Sequence, residues 1–121
     1  MEMPEPDSAT IARRTAIIDE LKRIVPVTSV IAEEEGLRAY ECDGLTAYRQ
    51  LPLIVVLPET TEQISQILKY CNEVGVKIVP RGAGTSLSGG ALPLADAITL
   101  GLGKLNRILD IDYENRCVTA Q

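Results

Sequence analysis

An eleven-residue segment, PRGAGTSLSGG at positions 80–90, holds the residues of this 121-residue chain whose types and spacing best suit binding chemistry. Four of the eleven are glycines, and Thr85, Ser86 and Ser88 add hydroxyl groups. Glycine accepts positive φ and has no Cβ, so such a segment lets backbone N–H groups converge on an anion, most often a phosphate. Arg81 adds a positive charge at its start. The alternative is an ordinary mobile turn that only joins two strands.

Two familiar phosphate-binding motifs do not fit this segment. A P-loop requires a lysine after its last glycine, and GAGTSLSG has none. A dinucleotide-binding fingerprint requires glycines that open a helix, whereas this segment passes Gly89, Gly90 and Pro93 and runs into an apolar strand. The remaining hypothesis is a loop that holds a pyrophosphate with backbone amides.

Composition excludes several other kinds of site. Net charge is −5, with 12 basic and 17 acidic residues, which argues against a nucleic-acid surface. The chain has no histidine, so it contains no Ser–His or Cys–His nucleophile. Cys42, Cys71 and Cys117 form no C-x-x-C pair and are expected to be reduced thiols of an intracellular protein. Glu33–Glu35 either bind a metal or form a solvated face, and we favour the solvated face. We therefore predict no metal site and no catalytic residue.

No segment has the features of a membrane anchor or a signal peptide. The longest apolar stretch, LPLIVVLP, is too short to cross a bilayer, and the acidic N-terminus MEMPEPDSAT lacks a basic and an apolar region. The hydrophobic share is 45% but the aromatic share only 3%, so we expect an aliphatic core in α/β layers.

The first third of the chain predicts mainly helix. Residues 1–7 read as a loose tail, followed by a helix from Ser8 to about Val25 with Asp7 or Ser8 as N-cap. In the next segment, Thr28 or Ser29 caps one or two helical turns through VIAEEE. Gly36 is expected to end those turns.

The rest predicts a strand–helix–strand unit. LIVVLP is typical of a buried strand, Thr60 and Gln63 form a capping box, and an apolar helical stripe ends at Gly75. VKIV follows as a strand, which implies a right-handed parallel crossover. AITLGL is a third strand, KLNRIL a turn or short helix, and ILDIDYENRCVTAQ a hairpin turning at DYEN. The predicted fold class is α/β (α+β), a small parallel sheet with flanking helices plus a C-terminal hairpin.

The run LIVVLPETTEQISQILKYCNEVGVKIVPRGAGTSLSGGALPL resembles the first half of the FAD-binding domain of flavin oxidases related to vanillyl-alcohol oxidase, the PCMH type. Within that family the chain is most similar to the amino-terminal part of the FAD-linked D subunits of glycolate oxidase, with D-lactate dehydrogenases close by. YECDGLTAYRQLP upstream belongs to the similarity. The resemblance implies an N-terminal tail and helical segment at residues 1–39. It also implies the first half of an FAD-binding domain, truncated at its C-terminus, at residues 40–121.

The resemblance also assigns the cofactor site. It implies that the loop wraps the FAD pyrophosphate, through Arg81, Gly82, Ala83, Gly84, Thr85, Ser86, Gly89 and Gly90. Backbone amides are expected to carry most of the binding, and FAD is expected to be non-covalent because the chain has no histidine to attach it.

Six further residues have two possible interpretations. Asp43 and Pro58 match recurrent family positions, and they either contact the cofactor or serve as a turn cap and a strand stop. Tyr40 and Tyr48 either approach the adenine or pack ordinarily. Lys104 and Arg107 either approach a phosphate or are solvated charges, and for these four we favour the ordinary role.

The full-length protein implied by the resemblance is an FAD-dependent 2-hydroxy-acid oxidase or dehydrogenase, acting on glycolate or D-lactate. It is expected to be cytoplasmic, with other glycolate oxidase subunits as partners and membrane association only through them. This piece alone is expected to be inactive. One alternative is the FAD domain of an alkyl-glycerone-phosphate-synthase-like enzyme. The other is an isolated fragment that self-associates through its sheet edge and binds no cofactor.

Overall fold

The computed structural model describes residues 3–121 and contains four α-helices. Two 3₁₀ turns, at Val27–Ser29 and Arg38–Tyr40, connect them to the strands. The helices are α1 (Ser8–Ala12), α2 (Arg14–Ile24), α3 (Glu34–Leu37) and α4 (Thr61–Val74). Helices α1 and α4 have side-chain caps, at Asp7 and Thr60, whereas α2 and α3 have none.

Six strands form two separate sheets. The four-stranded sheet has the order β1-β2-β4-β3, in which β1 is antiparallel to β2 and the other pairs are parallel. The two-stranded sheet is the antiparallel hairpin β5-β6, which turns at residues 113–116. The strands are β1 (Val30–Ile31), β2 (Ile54–Val56), β3 (Lys77–Arg81), β4 (Ala97–Gly101), β5 (Ile108–Asp112) and β6 (Cys117–Ala120).

Helix α4 has both predicted ends. The Thr60 hydroxyl accepts a hydrogen bond from the N–H of Gln63 at 3.2 Å, and the Gln63 side chain accepts one from the N–H of Glu59 at 2.7 Å. Gly75 ends the helix in the left-handed region at φ 70°. The capping prediction is confirmed. Because β2 ends at Val56 and α4 begins at Thr61, the helix starts close to the carboxyl end of β2.

One face of the sheet packs on α2 and α4. Ile17 and Leu21 of α2 and Ile67 of α4 meet Ile54 and Ile98 in one aliphatic cluster. Because side chains alternate along a strand, Val55, Val79 and Thr99 point to the opposite face, where they too are buried. The sheet is thus covered on both sides, as its continuous apolar strands predicted.

Two predictions in the first third were wrong in detail. The helix predicted from Ser8 to Val25 breaks at Arg13 into α1 and α2, with Asp7 as the N-cap of α1. VIAEEE is not helical throughout, because Val30 and Ile31 pair with Val56 and Val55 as strand β1. These β-branched side chains fit the pleated edge that β2 offers.

Gly36 also lies inside a helix, α3, rather than at a helix end. A Cβ at Gly36 would meet Cγ2 of Ile31 at 2.5 Å, so glycine here permits the close approach of α3 to β1. Gly36 was predicted to end a helix, but its role is to let α3 pack closely on β1.

The strand–helix–strand unit exists, but its strands are not neighbours. β4 lies between β2 and β3 and pairs with both in parallel register, Val55 with Thr99 and Val79 with Thr99. Residues 102–107, between β4 and β5, form a turn without a helix. Within residues 3–121, no helix is long and apolar enough to span a bilayer.

Candidate functional site

The glycine-rich segment starts on a strand at the carboxyl edge of the sheet. Pro80 and Arg81 are still part of β3 and pair with Leu100 and Gly101 of β4. The carbonyl of Arg81 then accepts a hydrogen bond from the N–H of Leu102 at 2.9 Å. The loop therefore leaves a fixed point at the strand ends, which is where α/β folds bind ligands.

The backbone of this loop is rich in unused donors. In the described chain, 3–121, none of the N–H groups of residues 82–87 donates a hydrogen bond to another part of the protein. Gly84 and Gly89 have φ values of 72° and 76°, in the left-handed region that favours glycine. A row of free donors beside left-handed glycines is the backbone pattern of an anion-binding nest.

Gly44 supports the loop from its carbonyl side. A Cβ at this position would lie 2.8 Å from the carbonyl oxygens of both Thr85 and Ser86. All peptide bonds here are trans, so the N–H and C=O of one peptide unit point in opposite directions. The N–H groups of Ser86 and Leu87 therefore point away from Gly44. We call the side of the loop to which they point the outer side.

The guanidinium of Arg81 lies on the side of the loop that faces residues 40–44, here called the inner side. Its Nη1 donates to the carbonyl of Cys42 at 2.7 Å, and its Cζ lies 5.5 Å from the ring centroid of Tyr40. A Cβ at Gly84 would collide with Nη2 of this same group. Arg81 thus connects the loop to residues 40–42. Its guanidinium also contacts Gly84, three residues further along the loop.

Several of the remaining loop residues are exposed to solvent. Gly82 has open space where a Cβ would lie, with no atom within 4 Å. The Ser86 hydroxyl accepts from the N–H of Ser88 at 3.3 Å and would meet a Cβ at Gly90 at 3.6 Å. Ala83 is exposed. Phosphate oxygens only accept hydrogen bonds, so free N–H groups beside the open space at Gly82 fit a pyrophosphate.

Asp43 is buried directly behind the loop. Its Oδ1 accepts from the N–H of Leu45 at 2.9 Å, which agrees with the turn-cap interpretation. Its Oδ2 has no hydrogen-bond partner among residues 3–121. Pro58 is buried immediately after β2, consistent with a strand stop.

Lys104 and Arg107 line a second feature, an open cleft of about 460 Å³ beside the start of α4. Nζ of Lys104 donates to Glu59 at 2.6 Å and to the Ser29 hydroxyl at 2.7 Å. The hydrogen bond and the charge of Lys104 lower the pKa of Glu59. Arg107 donates to the Gln121 side chain at 3.1 Å. Both cations therefore already have partners within the protein.

Three residues that support the loop were not identified from the sequence. They are Tyr40, Cys42 and Gly44, which contact the loop from a segment about forty positions earlier. For Tyr40 the sequence offered an adenine contact or ordinary packing, with ordinary packing favoured, and no local pattern pairs YECDG with the loop. The glycine in a D-G dipeptide was the one available signal, and it is also the signal of an ordinary turn.

The FAD binding domain family matches residues 52–121, which is more than half of the chain. Glycolate oxidase subunit GlcD of Escherichia coli (strain K12) is 44% identical over 108 residues, covering 89% of this chain and 22% of the relative. A putative mitochondrial D-lactate dehydrogenase of Schizosaccharomyces pombe is 40% identical over 83 residues, covering 69% of this chain and 16% of that protein. The chain thus spans about a fifth of the length of the curated relatives it matches.

Solved structures share the fold. p-Cresol methylhydroxylase superimposes with a TM-score of 0.73 at 23% identity, covering 91% of this chain and 22% of that one. Alkyldihydroxyacetonephosphate synthase superimposes with a TM-score of 0.72 at 16% identity, covering 94% and 22%. These matches confirm the predicted mixed α/β fold of the PCMH type, and the family match confirms FAD as the predicted cofactor. The family match over residues 52–121 and the similarity to GlcD show that the chain belongs to the FAD-binding domain family.

Proposed function

We propose that this chain holds the pyrophosphate of FAD with the backbone N–H groups of its glycine loop. The observation that carries the proposal is the row of unpaired donors at residues 82–87, beside the open space at Gly82. The cofactor loop starts with Arg81 and continues through Gly82, Ala83, Gly84, Thr85, Ser86, Gly89 and Gly90.

Within this set the roles differ. The amides of residues 82–86 donate to the phosphate oxygens, and the hydroxyls of Thr85 and Ser86 assist. Gly89 turns the chain in the left-handed region, which lets the second half of the loop follow the same ligand. The proposed binding is non-covalent, because the chain has no histidine that could link to flavin.

For the whole protein we propose a 2-hydroxy-acid oxidoreductase of the glycolate or D-lactate type, as the names of the curated relatives suggest. Bound FAD would supply the acceptor for a hydride from the α-carbon of the substrate. Residues of this chain orient the cofactor and take no part in proton or hydride movement, so the chain alone is inactive. Subunits of a glycolate oxidase complex are the partners this proposal implies.

A second enzyme class is compatible with the same domain. The shared fold of alkyldihydroxyacetonephosphate synthase supports a transfer reaction as the alternative. Anaerobic addition of glycolate or D-lactate to the full-length protein distinguishes the oxidoreductase from the transfer enzyme. Bleaching of the flavin absorbance supports the oxidoreductase, and an unchanged spectrum with both acids contradicts it.

Two further proposals concern organisation. The FAD-binding half comprises residues 40–121, and residues 1–39 support it through α2, which shares the core of the sheet. In isolation, two copies associate through the edge strand β6. The hairpin face formed by Ile108, Ile111 and Val118 favours this, because these side chains are 64%, 45% and 59% exposed. Size-exclusion chromatography over a range of concentrations tests it, and a constant monomer contradicts it.

Calorimetric titration of the chain with FAD and, separately, with ADP tests the pyrophosphate site. Gly82→Ala places a methyl group where the phosphate is expected, in open space and without a positive φ, so the fold should be unaffected. Gly103→Ala is the matched control, since Gly103 also has open space but lies outside the loop. We expect saturable binding that Gly82→Ala weakens roughly tenfold or more and Gly103→Ala leaves unchanged. Equal affinity in both variants would overturn the site assignment.

A further inference from the structure

We propose that Arg81 is a positioning residue: it holds the loop in its binding shape from the inner side and does not itself contact the phosphate. The proposal rests on the proposed function, because it assigns a role within the same site. It also assigns Tyr40 and Gly44 as the residues that hold Arg81 and the loop in place.

The surroundings of the guanidinium argue for this role. Arg81 stacks over Tyr40, donates to the Cys42 carbonyl and lies against Gly84. Tyr40 is itself fixed, since its ring lies beside Gly101 of β4, where a Cβ would meet it at 3.9 Å. The half-buried cation is thus contacted by the ring, a carbonyl and the returning loop. Its charge faces a ring and a carbonyl oxygen, both of which attract it without any ligand.

The loop is shaped around this group. After Arg81 the chain passes through the exposed residues Gly82 and Ala83 and returns at Gly84, with φ 72°, to the guanidinium. A Cβ there would strike the guanidinium in its present position, and the positive φ independently favours glycine. The contact between Arg81 and Gly84 therefore sets how far the loop projects, and hence where its first N–H groups lie.

The same upstream segment holds the second half of the loop. Gly44 lies against the carbonyls of Thr85 and Ser86, two positions after the residue whose carbonyl receives Arg81. A backbone hydrogen bond from Gln50 to the carbonyl of Glu41, at 2.8 Å, closes this segment on itself. Residues 40–44 thus form one support that contacts the loop at Arg81 and again at Thr85 and Ser86.

The chemistry of arginine makes the role specific. A planar guanidinium can stack on a ring and donate in its own plane at the same time, whereas a lysine ammonium is a compact point charge. Arg81→Lys would keep a charge for a phosphate but lose the stacked contact. A positioning role and a direct phosphate contact therefore predict different results for the same substitution.

The first experiment needs no ligand. Trypsin cleavage after Arg81 reports whether its side chain is held, with cleavage at other basic residues as the internal reference. Tyr40→Leu removes the ring and Tyr40→Phe keeps it, so we expect cleavage after Arg81 to accelerate roughly tenfold only in the leucine variant. Equal cleavage in wild type and Tyr40→Leu, both verified as folded by circular dichroism, would overturn the proposal.

The second experiment measures ADP affinity at about 20 to about 300 mM NaCl. We expect Tyr40→Leu and Arg81→Lys to weaken ADP binding by a similar factor. We also expect Tyr40→Leu and Arg81→Met to show the same salt dependence of ADP affinity as wild type. Near-normal affinity in Arg81→Lys, or a flatter salt dependence in Arg81→Met, would show a direct phosphate contact and overturn the positioning role. If wild type binds neither ADP nor FAD, the proposed function fails on this chain, and the cleavage experiment still decides the role of Arg81.

Discussion

Asp96 receives two hydrogen bonds on one carboxylate oxygen, one of them from Lys77. Its Oδ2 lies 2.7 Å from Nζ of Lys77 and 2.9 Å from the backbone nitrogen of Asp7. The carboxylate side chain is 2% exposed, whereas that of Lys77 is 52% exposed. Asp7 is also the N-cap of α1, so this contact attaches the N-terminal helices to the start of strands β3 and β4.

Replacing this carboxylate should destabilise the protein in a pH-dependent way. Burial favours the protonated form of Asp96, but the hydrogen bonds from Lys77 and Asp7 and the lysine charge outweigh it, so the pKa lies below its usual value of 3.8. A depressed folded-state pKa contributes stability above the unfolded-state pKa, and that contribution is lost as pH falls through the folded value. We expect Asp96→Asn to cost on the order of 2 kcal/mol at pH 7, with a difference from wild type that shrinks as pH falls below 3.8.

Urea unfolding at several pH values measures this difference, and Asp110→Asn on the exposed hairpin is the control for removing one negative charge. A constant difference between wild type and Asp96→Asn from pH 7 to pH 3 would contradict the ionic origin of the stabilisation.

The thiols of Cys71 and Cys117 should differ sharply in reactivity. Cys71 is 2% exposed on α4, and burial raises its pKa to about 11, whereas Cys117 is exposed on β6. Because the thiolate is the reactive form, a disulfide reagent at pH 8 should modify Cys117 rapidly and Cys71 only after unfolding. Cys117→Ser should remove the fast phase and leave the slow one. Fast labelling of Cys71 in the folded protein would mean that α4 opens readily.

Gly44 should be required for the loop despite lying outside it. Gly44→Ala places a methyl group against two backbone carbonyls that have no free rotamer to move away, so we expect a stability loss of about 1 to 3 kcal/mol. ADP affinity should fall with it, because the loop must shift. Thermal unfolding and calorimetry measure the two effects, with Gly103→Ala as control. Unchanged affinity in Gly44→Ala would show that the loop adapts without its support.

The cap of α4 offers a simpler check on local structure. Thr60→Ala removes the acceptor for the N–H of Gln63 and should cost about 1 kcal/mol, whereas Thr60→Ser retains it and should cost much less. Chemical denaturation compares the two variants. An equal loss in both would indicate that the threonine methyl group, rather than the hydroxyl, carries the effect.

The sequence predicted correctly those helices and strands whose bounds are set by residues close to them in the chain. Helix α4 has a cap at Thr60 and a stop at Gly75, and its apolar stripe repeats at helical spacing, so its bounds follow from residues within it. The hairpin likewise has its turn where polar residues interrupt two short strands. In both cases the residues that decide the structure are close in sequence.

The parts that escaped prediction depend on distant contacts. Strand β1 has only two residues, and it is a strand because β2 offers an edge to it. The position of β4 between β2 and β3 cannot be deduced from crossover lengths. The support of the loop pairs Arg81 with Cys42, 39 positions apart, and neither residue has a neighbour that indicates the other. The loop residues were identifiable, whereas what holds them in shape was not.

The central place of β4 sets the order in which the protein can form during synthesis. β2 and β3 both precede β4 in the chain, yet each finds its parallel partner only in β4. While a ribosome has not yet released residues 97–101, α4 can form locally, but the two apolar strands beside it have no parallel partner. The arrival of one short segment then completes the sheet in a single step. Nascent chains that stall before that point leave β3 without a partner and one edge of β2 open, which makes them prone to aggregation.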